Sequence, residues 1–200
     1  TAAGSAFEGI KTSCGMRGND GAIDHVTLEN GQLAYHVIGE TEAVGICGSG
    51  LLDAAACLLK TGAVDETGRM EKAWYFTPKV VVSQNDIREL QLAKAAIAAG
   101  LRLLCNRYGA VCSDIREVQL AGAFGNYMDP DSACAVGLLP KELKDKIRPI
   151  GNAAGEGAQR AALNMEEYEA CSRLAEETEF LELAGDREFA DLFMEELLFS

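Results

Sequence analysis

The chain has 200 residues, which is enough for one sizeable domain with a hydrophobic core or for two small ones. Its 48% of hydrophobic and 24% of charged residues are typical of a globular protein in water. No apolar run approaches the roughly 20 residues of a membrane span, and the net charge of −13 argues against a nucleic-acid partner. Because the sequence starts at Thr1 without a methionine or a signal peptide, we expect a piece of a longer cytoplasmic protein with no membrane partner.

Seven cysteines are spread along the chain without any Cys-x-x-Cys pair. Neither His25 nor His36 has a cysteine at zinc-finger spacing, so we predict no metal site and no iron–sulfur cluster within this chain. Most of the cysteines stand among apolar or small residues, where a free thiol is an ordinary core residue. Free thiols in this number also favour a reducing cytoplasm.

Residues 1–45 are predicted to be β-rich and irregular, because glycines interrupt a series of short runs. The apolar runs at 22–28 and 32–38 flank the dipeptide Asn30-Gly31. That dipeptide is the preferred sequence of a two-residue hairpin turn, so we predict a β-hairpin here.

A glycine-rich stretch at 45–50 ends in Gly48, Ser49 and Gly50 and leads into a predicted helix at 51–60. Such an entry to a helix can receive an anion, although close packing of the helix is the favoured interpretation. The stretch lacks the Lys-Ser/Thr ending of a P-loop, and Ser49 does not stand at the spacing of a hydrolase nucleophile. We assign no catalytic residue here or elsewhere in the chain.

One strand is predicted at 74–82, where aromatic and β-branched residues are concentrated. Ser83 then caps the longest helix, with Asp86 at the third helical position as its capping-box partner, and Gly109 ends that helix. Apolar side chains cover most of its surface, which is typical of a helix buried on most sides.

A short buried strand is predicted at 118–121, followed by a loop made of Gly122, Ala123, Phe124, Gly125 and Asn126. Asp129 is a suitable N-cap and Pro130 a suitable first residue for the next helix. A strand, a glycine loop and a helix N-terminus are a common way to hold a nucleotide, although an ordinary strand-to-helix turn is the favoured interpretation of this segment alone.

The same pattern recurs with a strand at 146–150, a turn at Gly151 and Asn152, and a helix at 153–163. Gly155 and Gly157 lie in the first turns of that helix, where each glycine costs about 1 kcal/mol relative to alanine. Close packing and the approach of a ligand explain these glycines equally well.

The last 36 residues are strongly acidic: Arg173 and Arg187 are their only basic residues. An acidic helix is predicted at 165–178, a strand at 179–183, and a final helix capped by Asp186. This tail is either a docking face for a basic partner or, as is more usual, a solvated face. We divide the chain into a lobe at 1–164, with a β-rich part at 1–45 and an α/β core at 46–164, and an acidic helical extension at 165–200 packed on it.

Three glycine-rich loops, at 45–50, 122–126 and 151–157, each precede a predicted helix. In a wound α/β sheet such loops fall on one edge, where ligands usually bind. We therefore predict a mixed sheet flanked by helices and a nucleotide- or phosphate-binding cleft. Its candidate residues are Gly48, Ser49, Gly50, Gly122, Ala123, Phe124, Gly125, Asn126, Gly151, Asn152 and Gly155.

Six motifs stand in one order along the chain: TAAGSAFEG at 1–9, CGMR at 14–17, GICGSGLLD at 45–53, QNDIRELQLAKA at 84–95, LAGAFGN at 120–126 and GNAAG at 151–155. Together they resemble the C-terminal domain of the ATP-dependent reductive activators of corrinoid proteins. The resemblance runs to about residue 186, and six motifs in register are specific where each alone is weak.

The resemblance implies one ribonuclease-H-like lobe of an ATPase of the acetate kinase, sugar kinase, heat-shock protein and actin superfamily. It implies ATP with Mg²⁺ as cofactor, a corrinoid protein as partner and a 2Fe-2S cluster in a domain upstream of this chain. Such activators use ATP to drive an electron onto an inactive Co(II) corrinoid and restore Co(I). The loop at 122–126 matches the superfamily's adenosine motif, with Ala123 where many relatives have glycine, and 151–155 matches the later turn that closes around the nucleotide.

The chain lacks the hydrophobic-Asp-x-Gly strands with which relatives hold phosphates and Mg²⁺. By the family layout these strands would lie before Thr1, so we predict that this chain alone cannot hydrolyse ATP. An alternative function is an interaction or dimerisation module built from the helix at 84–108 and the acidic tail, with little nucleotide chemistry. A small-molecule kinase of the same superfamily ranks lower, because no substrate base is identifiable.

Overall fold

The computed structural model describes residues 6–199, with the side chain of Ala123 outside that description. The first motif therefore lies only partly within the described residues. The helices are α1 Gly48–Lys60, α2 Gln84–Tyr108, α3 Gly122–Tyr127, α4 Pro130–Ala135, α5 Ala153–Leu163, α6 Met165–Glu177 and α7 Arg187–Glu195. The strands are β1 Ala22–Glu29, β2 Gln32–Val37, β3 Gly45–Ile46, β4 Trp74–Tyr75, β5 Val81–Val82, β6 Val118–Leu120 and β7 Ile147–Pro149. Within the described part of the chain, no helix is both long and apolar enough to cross a membrane.

The predicted hairpin is confirmed by the antiparallel pairing of β1 with β2. Asn30 and Gly31 both have positive φ angles, of 50° and 80°, as the tight turn of a two-residue hairpin requires. β3 pairs with β1 in parallel, which gives a three-stranded mixed sheet in the order β2-β1-β3. The buried helix α1 packs on β1 and forms the centre of the hydrophobic core.

Helix α1 begins at Gly48, three residues before the predicted start at 51, because its glycines allow the first turn to pack against backbone. A Cβ atom added at Gly48 would lie 2.1 Å from the carbonyl oxygen of Phe7, and one added at Gly50 would lie 2.2 Å from that of Ile23. No side chain fits at such distances, so close packing accounts for both glycines.

The single strand predicted at 74–82 is wrong, since β4 and β5 are two short strands that pair with each other. Thr77 makes the turn between them: its Oγ1 accepts hydrogen bonds from the backbone N–H groups of Lys79 (3.2 Å) and Val80 (3.0 Å). A threonine hydroxyl that competes for backbone donors in this way favours a turn over a continuous strand.

The cap predicted for the longest helix is confirmed: Ser83 and Asp86 form a complete capping box, and Gly109 ends α2 in the left-handed conformation. Along its C-terminal half, α2 is covered by α7, where Leu192 packs against Ala99 and Leu103. The strand predicted at 179–183 is wrong, because Leu181 and Leu183 join this apolar cluster without pairing to a strand.

In the described residues the predicted mixed sheet consists of three separate sheets: the one around β1, the β4–β5 ribbon, and a parallel pair formed by β6 and β7. Every strand outside the β1–β2 hairpin is only two or three residues long. The acidic extension is likewise divided, since α7 packs on α2 whereas α6 contacts α5 and is otherwise largely exposed.

Candidate functional site

Two of the predicted glycine turns meet at the carboxyl ends of β6 and β7. The strands run in parallel, with Leu120 opposite Pro149. The N–H of Ile150 donates to the carbonyl of Leu120 at 2.9 Å, and the N–H of Gly122 donates to the carbonyl of Gly151 at 2.8 Å. The backbone hydrogen bonding between β6 and β7 therefore continues one step beyond the strands. It holds the two turns side by side, where the chain enters the helices α3 and α5.

Both glycines at this junction border open space. Gly122 has a φ angle of 86° and Gly151 one of 62°, a region that L-residues rarely adopt. No atom lies within 4 Å of a Cβ added at either position. Unlike Gly48 and Gly50, these glycines are not explained by packing within the described residues; the positive φ angles favour glycine, and both positions leave backbone open.

The loop predicted at 122–126 is wrong in conformation, because Gly122 is already the first residue of the short helix α3. Its residues divide by role. Gly125 is buried, and an added Cβ would lie 3.0 Å from Cβ of Leu120, so it serves packing. Phe124 is half-buried with its ring 4.5 Å from that of Phe7, Asn126 is exposed, and the side chain of Ala123 lies outside the described part.

The turn before α5 has the predicted cap. Asn152 accepts a hydrogen bond at its Oδ1 from the N–H of Gly155 at 3.1 Å. A Cβ at Gly155 would lie 2.4 Å from Nδ2 of Asn152, so this glycine makes room for the cap. Gly157, in contrast, has nothing within 4 Å of an added Cβ, and its absence of a side chain has no cause within the chain.

The third predicted loop, at 45–50, lies near α3, but its residues are buried in the hydrophobic core. Ser49 is buried and donates its hydroxyl to the carbonyl of Asp24 at 2.9 Å, which leaves no free hydroxyl proton for a ligand. The N-terminus of α1 opens instead into a pocket of about 470 Å³ whose wall includes Phe124 and Tyr127 of α3. Arg17 lines the same pocket and supplies a positive charge beside the helix N-terminus.

A carboxylate–imidazole pair was not predicted. Asp53 on α1 is only 3% exposed, and its Oδ2 lies 3.2 Å from Nδ1 of His25 and 3.3 Å from the N–H of Val26. Its Oδ1 has no hydrogen-bond partner among the described residues. Burial raises the pKa of Asp53, and the hydrogen bonds from Val26 and His25 oppose this shift only in part.

The Asp53–His25 pair lines a second pocket, of about 490 Å³, together with Asn126 and Asp129 at the far end of α3. The sequence signal that could have revealed Asp53 is a single acidic residue within an otherwise apolar helix. The pair and the glycine turns thus lie on opposite ends of the same short helix.

Comparison with known proteins shows to which family this chain belongs. A family model described as the C-terminal domain of RACo, the ASKHA domain, matches residues 1–200. The solved structure of a reductive activator for corrinoid, iron-sulfur protein superposes with a TM-score of 0.86 at 31% sequence identity, over 97% of this chain and 35% of that one. The α/β fold class and the resemblance to corrinoid activators are therefore confirmed.

Two curated relatives are similar along nearly the whole chain. The corrinoid activation enzyme RamQ of Eubacterium limosum is 40% identical over 100% of this chain and 38% of its own length. The [Co(II) methylated amine-specific corrinoid protein] reductase of Methanosarcina barkeri is 28% identical over 98% of this chain and 41% of its own. This chain thus spans about two fifths of the length of these relatives, and it belongs to the family of the C-terminal ASKHA domain of reductive activators of corrinoid proteins.

Proposed function

We propose that this chain is the nucleotide-binding domain of an ATP-dependent, iron–sulfur reductive activator that returns a Co(II) corrinoid protein to Co(I) for methyl transfer. The observation that carries the proposal is the hydrogen bond from Gly122 to Gly151, which joins two open glycine turns at one sheet edge. The two curated relatives, a corrinoid activation enzyme and a corrinoid protein reductase, support the corrinoid partner.

The residues of this chain fit the binding of a nucleotide. Gly122 and Gly151 present backbone without a side chain, so a flat base and ribose can approach both turns. Asn152 and Asn126 are exposed beside them and offer amide donors and acceptors. In this proposal ATP is bound with Mg²⁺, and the ligands for its phosphates and for the ion lie upstream of this chain, as does the 2Fe-2S cluster.

The chain's own contribution to activation is to convert nucleotide binding into movement. Contacts made at Gly122 and Gly151 act on β6 and β7 together, because the two strands are hydrogen-bonded to each other. A second lobe closing over the nucleotide would therefore shift α3 and α5 as one unit, and this shift would reshape the surface that holds the corrinoid protein. Seven free thiols support the cytoplasm as the location of the protein.

Calorimetric titration with ATP and ADP, with and without Mg²⁺, tests the nucleotide site. We expect saturable binding that is lost in Gly122→Val. Gly62→Val is the matched control, because Gly62 has a φ angle of 73°, also has no atom within 4 Å of an added Cβ, and lies at the opposite end of α1 from the candidate site. Binding of ATP by Gly122→Val as tightly as by Gly62→Val would contradict the proposal. Robust ATP hydrolysis by this chain alone would contradict the separate prediction that hydrolysis requires the strands that hold the phosphates and Mg²⁺.

A second candidate function, an interaction or dimerisation module, is favoured by the exposed apolar side chains of the α5–α6 region. Leu163 is 89% exposed, Phe180 is 85% exposed, and Met165 is also exposed. Removing the whole extension would uncover Leu103 under α7, so point variants are the better test. If this function holds, Met165→Asp and Leu163→Asp should abolish self-association or partner binding in sedimentation measurements and leave nucleotide affinity unchanged.

A further inference from the structure

Two thiols meet in a pocket away from the glycine turns. Cys105 lies in the last turn of α2, and Cys112 begins the short 3-10 turn Cys112–Asp114 that precedes β6. Their Sγ atoms are 3.8 Å apart. Three other cysteines bond to backbone carbonyls instead, namely Cys14, Cys57 and Cys134.

We propose that Cys105 and Cys112 are a reversible dithiol–disulfide pair that small-molecule disulfides oxidise. A disulfide needs the sulfur atoms about 2.05 Å apart, so they must approach by roughly 1.8 Å from their present 3.8 Å. Cys112 belongs to a short connection that follows the left-handed Gly109, whereas Cys105 is held in a long helix. The connection is therefore the part that moves.

The pocket admits the oxidant. It has a volume of about 470 Å³ and is lined by both cysteines together with Arg102, Asn106 and Lys141. Cys112 is half-buried and Cys105 is buried, so the thiolate of Cys112 is the first to reach a disulfide such as oxidised glutathione. Glu142 and Glu196 also line the pocket and balance the charges of Arg102 and Lys141, so the space in the pocket, and not its charge, admits the tripeptide.

The exchange balances in two steps. The thiolate of Cys112, after losing its proton to solvent, attacks one sulfur of oxidised glutathione, which forms a mixed disulfide and releases one glutathione thiolate. The thiolate of Cys105 then attacks the sulfur of Cys112, which forms the intramolecular bond and releases the second glutathione. The protein loses two electrons and two protons in total, and one glutathione disulfide is reduced to two thiols.

The environment sets the rate of this reaction. Burial, together with the hydrogen bond to Cys105, raises the pKa of Cys112 to about 11. Only the thiolate attacks, so the exchange is slow at neutral pH. As long as the pH stays below that pKa, each unit by which the pH is raised increases the rate about tenfold. The pair therefore responds to sustained oxidation and not to brief exposure.

The position of the pair links it to the sheet that carries the glycine turns. Lys146, the residue before β7, donates from its Nζ to the carbonyls of Ser113 at 2.8 Å and Ile115 at 2.6 Å. The segment that begins at Cys112 is thereby joined to the amino-terminal ends of both β6 and β7. A disulfide would add a covalent link from this segment to α2.

The test is incubation of the folded chain with oxidised glutathione at pH 7, 8 and 9, followed by alkylation, proteolysis and mass spectrometry. We expect a Cys105–Cys112 linked peptide that forms about tenfold faster per pH unit and disappears with dithiothreitol. Cys171 is exposed on α6 and is the matched internal control, because a thiol without a partner should keep its glutathione adduct.

Two results would overturn the proposal. One is a stable glutathione adduct on Cys112 with no linked peptide, and the other is a linked peptide that forms only in denaturant. In Cys105→Ser, Cys112 should retain glutathione as Cys171 does. This variant shows whether Cys105 normally removes the glutathione from Cys112, or whether glutathione simply reaches Cys112 slowly. The wild-type peptide map decides the question even if this variant folds poorly.

Discussion

Lys94 donates a hydrogen bond from its Nζ to the carbonyl oxygen of Leu198 at 2.5 Å, and so holds the end of the chain against the middle of α2. The lysine is fully buried, and the ring of Phe199 lies 5.7 Å from its Nζ. Gln91, one helical turn earlier, donates to the carbonyl of Leu197 at 2.8 Å. Burial lowers the pKa of Lys94.

We expect Lys94→Ala to destabilise the chain by about 2–4 kcal/mol, because it leaves a cavity beside α2 and removes the hydrogen bond to the carbonyl of Leu198. Lys94→Met restores most of the volume without the hydrogen bond, so its loss should be smaller, about 1–2 kcal/mol. The free energy of unfolding in urea measures both, and the exposed Lys60→Ala is the control. Equal losses in the Ala and Met variants would mean that the hydrogen bond, and not the packing of the stem, secures the tail.

The raised pKa of Asp53 predicts how the stability of the fold depends on pH. Between the ordinary value of 3.8 and its raised value, the folded chain binds more protons at Asp53 than the unfolded chain does. This group therefore contributes stability that is present at low pH and is lost as the pH rises through its folded pKa. Above its folded pKa the buried carboxylate of Asp53 opposes folding.

Asp53→Asn should then be as stable as the wild type or more stable at pH 7, because the amide keeps an acceptor for Val26 without a buried charge. As the pH falls towards 4, the wild type gains stability and the difference should narrow. Unfolding in urea at pH 7 and pH 4.5 measures the difference. A difference that widens on acidification would contradict the assignment, and Asp20→Asn at an exposed position controls for general effects of charge.

Gly157 and Gly155 separate the two explanations of the glycines in α5. Gly157→Ala should stabilise the chain by about 0.5–1 kcal/mol, because the position is helical and open. Gly155→Ala should be destabilising, because the new Cβ meets the capping amide of Asn152. Thermal unfolding measures both changes.

The nucleotide affinity of Gly157→Ala tests whether a ligand approaches the backbone at this position. If a ligand approaches the backbone at this position, the more stable variant should bind ATP more weakly in the calorimetric titration. Unchanged affinity would assign Gly157 to neither packing nor binding.

Local side-chain chemistry allowed the helix starts to be predicted. Ser83, Asp129, Asn152 and Asp186 each cap the helix that the sequence assigned to them, because an N-cap acts on backbone donors two or three residues away. The hairpin at Asn30 was equally local. The division of 74–82 into two strands was missed because a continuous apolar run does not reveal a turn within it.

The candidate site required contacts that no local pattern contains. The pairing of β6 with β7 joins residues about 30 positions apart, and only the repeated order of strand, glycine loop and helix suggested that Gly122 and Gly151 would meet. Gly48 and Gly50 have the same composition as the open turns but face the backbones of Phe7 and Ile23, a difference that depends wholly on tertiary packing. Asp53 was overlooked because its partner His25 lies on a strand before it.

The shortness of β6 and β7 has a consequence for how the chain opens. Three residues in each strand give few ladder hydrogen bonds, and α5, which follows β7, has no buried residue. In contrast, α1 is buried through eleven residues. The region that carries Gly122 and Gly151 should therefore exchange its amide hydrogens by local unfolding, well before the core around α1 opens. A ligand that bridges the two turns would slow this exchange, so that nucleotide binding and the ordering of this region become one equilibrium.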